Sequence, residues 1–200
     1  MTRILIVRHG NTFSPGEAPR RVGAPTDLPL VASGVAQAHA LAAHFAKHVS
    51  HIERLFTSPL RRTWETAAIL AASMGAPEVR PAEWLREIDH GPDENRTEEE
   101  VVRRIGADAL HAWDTRAVVP PGWDVGAPAR LAAWRDFFAR CDTDTVLVTS
   151  NGAARFALMA RPDLGEQLSG FKLRTGAYGE LRLEASGECQ IVCWDQRPPA

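Results

Sequence analysis

Apolar positions along this chain fall into two kinds of run. "RILIV" (3–7) and "TVLVTS" (145–150) are short and continuous, the pattern of strands covered on both faces, and "RLFTS" (54–58) reads as a third strand. Elsewhere the spacing is helical. Val35, Ala38, Leu41, Phe45 and Val49 recur every three or four residues and predict a helix over 33–49 with one buried face. A second helix is predicted over 58–75, with Ser58 as N-cap, Pro59 in the first helical position and Gly75 as the stop. Thr97 and Glu100 form a capping-box pattern that opens a helix over 97–106, and 127–141 is amphipathic. The segment "NGAARFALMA" begins another helix after the strand at 145–150, and "AYGELRLEASGECQIVCW" (177–194) reads as a hairpin turning at "SGE". Strands alternating with helices, then a late hairpin, predict an α/β three-layer sandwich whose central sheet is mostly parallel with an antiparallel edge. No repeat or composition break divides the 200 residues, so a single domain over 1–200 is expected. The Gly-, Pro- and Asp-rich stretches near 88–96 and 115–128 are placed as loops or a lid on one rim.

Composition narrows the partner. A formal net charge of −2 gives no long-range pull toward nucleic acid or an anionic membrane, so any anion must be recognised by locally placed arginines. The expected partner is a small molecule. No apolar run approaches the ~20 residues of a membrane span, and no leader pattern precedes the first strand, so a cytoplasmic location is expected. Cys189 and Cys193, in an extended run, would stand about 13 Å apart at ~3.3 Å per residue, beyond the ~7 Å reach of a disulfide. With Cys141 they read as core thiols in a reducing compartment.

The first strand stops at Arg8 and His9, and ligands of open parallel sheets collect beyond such carboxyl ends, where helix N-termini point unpaired amides the same way. Arg62 falls in the first turn of the helix after "RLFTS". Two guanidinium forks and an imidazole converging there describe a phosphate site.

The segments "LIVRHGNT", "TDLPLVASGVAQAHALA", "TSPLRRTWETA", "LREIDHG" and "VLVTSNGAARFAL" resemble, in order and spacing, the histidine phosphatase superfamily, the phosphoglycerate mutase-like proteins. The resemblance runs from residue 4 to about residue 183. It implies that fold, with His9 as the nucleophile that accepts the phosphoryl group and with Arg8 and Arg62 holding the phosphate oxygens. Glu87 is implied as the acid that protonates the leaving oxygen and then activates water. Neither metal nor cofactor is implied.

One position departs from the family pattern. Where the family carries a second histidine that hydrogen-bonds the phosphoryl group, this chain has Asn151, whose amide donates but brings no positive charge and exchanges no proton. Losing a transition-state donor typically costs about two to three orders of magnitude in turnover, which permits a slowed enzyme and equally a retired one. Arg155, a turn further along, is expected either to supply the missing charge to the phosphate or to pair with a nearby carboxylate, the pairing being favoured. His90 is a second candidate, read as a loop histidine facing solvent.

Three functions follow from the resemblance. The leading one is a phosphomonoesterase acting through a phosphohistidine intermediate on a small phosphorylated metabolite. The alternative is a catalytically impaired phosphoryl-ligand binding or regulatory protein on the same fold. A phosphoglycerate mutase is less favoured, because Pro15 and "HGPDEN" stand where mutases carry an asparagine and a Gly-rich substrate segment. Trp84, Trp113 and Trp123 are read as packing rather than as stacking on a substrate, and His39, His44, His48 and His51 as a solvated helix face rather than a metal site.

Overall fold

A computed structural model describes residues 1–49, 51–75 and 78–198; the other positions of the expected domain lie outside the described residues. It contains one six-stranded sheet in the order β3-β2-β4-β1-β5-β6. Strands β1 (Thr2–Arg8), β2 (Arg54–Thr57), β3 (Val79–Pro81) and β4 (Thr145–Thr149) are mutually parallel, while β5 (Tyr178–Leu183) and β6 (Cys189–Gln196) add an antiparallel hairpin edge.

Alternation along the central strands produces the layers. Successive side chains of a strand point to opposite faces. Ile4, Ile6 and Leu147 accordingly join a core with Trp134, Phe138, Phe156 and Leu158, whereas Leu5, Val7, Val146 and Val148 join a second with Leu41, Phe45, Ala67 and Leu70. The first core is closed by α5 (Ala127–Arg140) and α6 (Asn151–Ala160), the second by α1 (Ala32–His48) and α2 (Arg61–Met74). All five residues of β4 are buried, which is why its sequence is apolar without alternation.

This arrangement fixes where a ligand can sit. β1 and β4 are neighbours with Arg8 opposite Thr149, yet the helix after β1 covers one face and the helix after β4 the other. Chains that diverge to opposite faces leave a crevice at the carboxyl ends of their strands.

Several boundaries differ from the sequence expectation. Helix α2 starts at Arg61 rather than at Ser58, because the Ser58 amide continues the sheet by donating to Val148 O and Pro59 disfavours a helical residue before it. Its first amide is capped from another segment: Arg61 N donates to Asp27 Oδ1 at 2.6 Å. Gly75 ends the helix in the left-handed conformation, as its position predicts. Val35 is 37% exposed, because Gly34 and Ala38 face inward instead. The sequence pattern also missed β3, the short helix α7 (Pro162–Gly165) and α4 (Ala107–Arg116), which follows α3 (Glu98–Ile105) directly across Gly106. The capping box at Thr97 and Glu100 forms as expected.

The irregular stretches near 88–96 and 115–128 pair with one another. Asp89 and Asp124 exchange backbone hydrogen bonds at 3.0 Å, and Gly91 packs so close to Gly122 that a Cβ there would lie 2.1 Å from its carbonyl oxygen. Asp93, buried, accepts from Trp123 Nε1 at 2.7 Å and pairs with Arg104, so this rim is cross-tied. Cys141 and Cys189 are buried free thiols, and Cys193 is partly buried.

Candidate active site

Arg8 and His9 leave β1 at the crevice. The His9 amide donates to Thr149 O at 3.1 Å, which prolongs the sheet by one residue and holds the ring at the strand end. Gly10 follows because the chain there meets α1: a Cβ would lie 2.2 Å from Gly34 O. The ring is 5% exposed, and its Nδ1 is 2.7 Å from Gly10 O. A carbonyl only accepts, so Nδ1 carries the hydrogen and the lone pair of the neutral ring resides on Nε2. Burial, then the charges of Arg62 and Arg8, hold the imidazole well below its ordinary pKa of 6.5. It is neutral at physiological pH.

Arg62 is fully buried. It donates to Thr26 O at 2.8 Å, Gly23 O at 3.2 Å and Val22 O at 3.3 Å, while its Nε is buried without a partner. Arg8 donates to Leu173 O at 2.6 Å and also has a buried, partnerless Nε. Burial pushes Arg8 down to about 10, so it stays a cation. Unmet donors on two cations beside a neutral imidazole constitute an anion hole.

Glu87 belongs to an extended segment after the 3-10 turn Glu83–Leu85. That segment is clamped from two sides: Thr149 Oγ1 donates to Leu85 O at 2.6 Å, and Arg130 on α5 donates to Trp84 O, Arg86 O and Glu87 O. The Glu87 carboxylate reaches the N-terminus of α6, where it accepts from Gly152 N at 3.1 Å and Ala153 N at 3.0 Å, and Oε1 also accepts from Ile88 N at 2.9 Å. Helix α6 has no side-chain N-cap of its own, and Glu87 satisfies its amides instead. A Cβ on Gly152 would lie 2.3 Å from Glu87 Oε1, so glycine is what admits the carboxylate.

These groups share one cavity. Arg8, His9, Arg62 and Glu87 line a space of about 420 Å³ together with Thr12 and Asn11. A second space of about 360 Å³ adjoins it, sharing Arg8, Arg20, Val22 and Glu87 and adding Trp113 and Asn151. The Asn151 Oδ1 accepts from Leu173 N at 2.8 Å, which leaves the amide NH₂ as the donor end.

Arg155 is placed elsewhere. It is fully buried and lines neither space; its guanidinium lies 3.9 Å from the Trp113 ring centroid, bonds Trp113 O and stands 3.5 Å from Asp114 Oδ1. Of the two expectations for Arg155, the carboxylate pairing describes this geometry. Burial pushes its pKa down to about 10 against the opposing pull of Asp114. His90 is not a solvent-facing side chain: it is 6% exposed, edge-on to Trp123, 3.4 Å from Glu94 Oε2, and lines the second space. Trp113 and Trp123 stack edge to face and Trp84 packs on Trp134, in keeping with packing roles. His44 bonds the Tyr178 hydroxyl at 2.9 Å with His48 stacked beside it.

Sequence reasoning missed Arg130, Asp27 and Gly152. Nothing in their local sequence marks them, since each acts on a segment remote in the chain.

The family model of the histidine phosphatase superfamily (branch 1) matches residues 4–196. The chain belongs to that superfamily. Among solved structures, the mycobacterial glucosyl-3-phosphoglycerate phosphatase superposes with a TM-score of 0.80 at 22% identity, covering 98% of this chain and 100% of that one. A putative alpha-ribazole-5'-P phosphatase from Escherichia coli gives 0.73 at 17% identity, covering 100% and 98%. At these identities the likeness establishes the fold. In sequence, the probable phosphoglycerate mutase GpmB of Yersinia pestis is 37% identical over 97 residues, which is 48% of this chain and 42% of that protein. The chain thus spans less than half the length of the curated relatives it matches. No described helix is long and apolar enough to cross a membrane.

Proposed function

We propose that this superfamily member is a phosphomonoesterase that works through a phosphohistidine on His9. The observation that carries the reading is the meeting of Arg8, His9, Arg62 and Glu87, from three separate segments, around one cavity with His9 Nε2 unprotonated. Nε2 attacks phosphorus while the bond to the leaving oxygen breaks and Glu87 gives that oxygen its proton. Water then attacks the phosphohistidine, Glu87 takes back a proton, the N–P bond breaks, and His9 returns to its neutral form with phosphate released. Arg8 and Arg62 offset charge on the transferring group through donors already in position. Asn151 takes the place where the resemblance implies a second histidine, and its NH₂ supplies a neutral donor to a phosphoryl oxygen. In this reading Arg155 is a support beneath Trp113 and Asp114 rather than a phosphate ligand.

The neutral Asn151 also favours a second reading, a phosphoryl-ligand binder without turnover. Hydrolysis of a generic aryl phosphate decides between them. The phosphatase reading expects turnover in the wild type and its loss in His9→Ala. Activity that persists in His9→Ala removes the mechanism, while a wild type that binds phosphate without hydrolysing esters is the binder. Transfer from the enzyme to a monophosphoglycerate in preference to water would make it a mutase.

A further inference from the structure

The two adjoining spaces differ in a way that bears on the leaving group. His9 lines only the first, whereas Glu87 faces both. In-line transfer sends the leaving oxygen away from the nucleophile, toward the acid that protonates it. On the phosphatase reading above, the leaving alcohol therefore occupies the second space.

Most charge around that space is already matched. Arg21 pairs with Glu98 at 2.8 Å, and Lys172 stands 3.4 Å from Asp114, which Arg155 faces from behind at 3.5 Å. Glu87 accepts backbone amides. Arg20 differs from all of these. It lines both spaces, and among the described residues its guanidinium has neither an ion-pair partner nor a hydrogen-bond acceptor.

Its backbone, by contrast, is held. Arg20 makes an isolated antiparallel bridge to Thr97. Next to it, Arg21 N donates to Arg96 O at 2.8 Å and Asn95 N to Arg21 O at 2.7 Å. Two residues on, the carbonyls of Val22 and Gly23 are gripped by Arg62 itself. An unpaired surface arginine does little for stability. A free cationic fork on a tethered backbone, at the junction where phosphate and leaving group must meet, has a recognition geometry instead.

We propose that Arg20 is a specificity-determining residue that engages an anionic substituent on the leaving alcohol. The substrate class is then a phosphomonoester whose alcohol itself carries a carboxylate or a second phosphate. Lys172, only half neutralised because it shares Asp114 with Arg155, offers a further cation on the same wall.

The test uses phosphonates, which cannot be hydrolysed, so it stands apart from catalysis. Dissociation constants of methylphosphonate, phosphonoacetate and 3-phosphonopropionate are measured by calorimetry at fixed ionic strength for the wild type, Arg20→Ala and Arg20→Lys. At least one carboxylated ligand is expected to bind the wild type about tenfold tighter than methylphosphonate, the scale of one charge-assisted contact. Arg20→Ala should collapse that ratio to within about twofold, and Arg20→Lys should keep part of it. Equal affinities in the wild type, or a ratio that survives Arg20→Ala, overturn the proposal. Failure of every phosphonate to bind overturns both it and the phosphate site. Selective binding without ester hydrolysis would leave this subsite standing while the catalytic reading falls.

Discussion

At the scale of single residues, the site depends on atoms that are missing as much as on atoms that are present. Gly152 has no Cβ, and its place is taken by the Glu87 carboxylate 2.3 Å from where that atom would stand. Gly152→Ala should displace the acid while α6 still forms. We expect turnover to fall about a hundredfold, in line with loss of a positioned acid, with a stability loss of ~1–3 kcal/mol for an overpacked contact. An unchanged turnover number would show that Glu87 does not act from this position. Asn151 offers the opposite kind of change. Its Oδ1 accepts the Leu173 amide, and a histidine there can accept the same bond on one ring nitrogen while donating from the other. If Asn151 is the weak donor in the site, Asn151→His should raise turnover of an aryl phosphate by tenfold or more. A fall in turnover would mean that the pocket is built around the amide.

Elements position these residues, and their ends were legible to different degrees. The capping box of α3 joins residues three apart, so Thr97 and Glu100 announce it in the sequence and the structure forms it. The start of α2 could not be read the same way, because its capping carboxylate, Asp27, comes from 34 residues away in the chain. Arg130 is a similar case: it reaches from α5 to three carbonyls of the segment that carries Glu87. These two kinds of contact predict separable outcomes. Thr97→Ala should lower stability by ~1 kcal/mol and leave turnover unchanged. Arg130→Ala should lower turnover more than it raises KM, because the acid loses its support while the phosphate grip is untouched. Urea unfolding and steady-state kinetics on both variants check the contrast; equal kinetic effects would contradict it.

For the molecule as a whole, the buried site has a cost that varies with pH. His9 is held neutral by burial and by Arg62 and Arg8, whereas in the unfolded chain the ring takes up a proton near its ordinary value of 6.5. Below that pH the unfolded state binds more protons than the native state. Stability is therefore full above pH 6.5 and declines as pH falls, by up to ~1.4 kcal/mol per pH unit for this ring. His44, also lowered by burial, adds in the same direction. The depressed carboxylates Asp93 and Asp163 act in a separate window, below about pH 4. Thermal unfolding between pH 7 and 5.5 should show a falling midpoint in the wild type and a shallower fall in His9→Asn. Identical slopes would mean that the ring is not excluded from protonation in the native state.

What the sequence by itself determined is local or periodic: the alternation that makes β1 two-faced, the continuous burial of β4, the capping box, the left-handed stop at Gly75 and the motif that carries Arg8 and His9. Each is written in residues a few positions apart, where backbone geometry alone sets the meaning. Tertiary structure decided the rest. Only the order of strands showed that the ends of β1 and β4 form one crevice, that the carboxylate of Glu87 caps a helix begun 64 residues later, and that Arg155 turns away to Trp113 and Asp114. Those outcomes depend on which distant groups burial leaves in need of a partner, and no short stretch of chain contains both halves of such a pair.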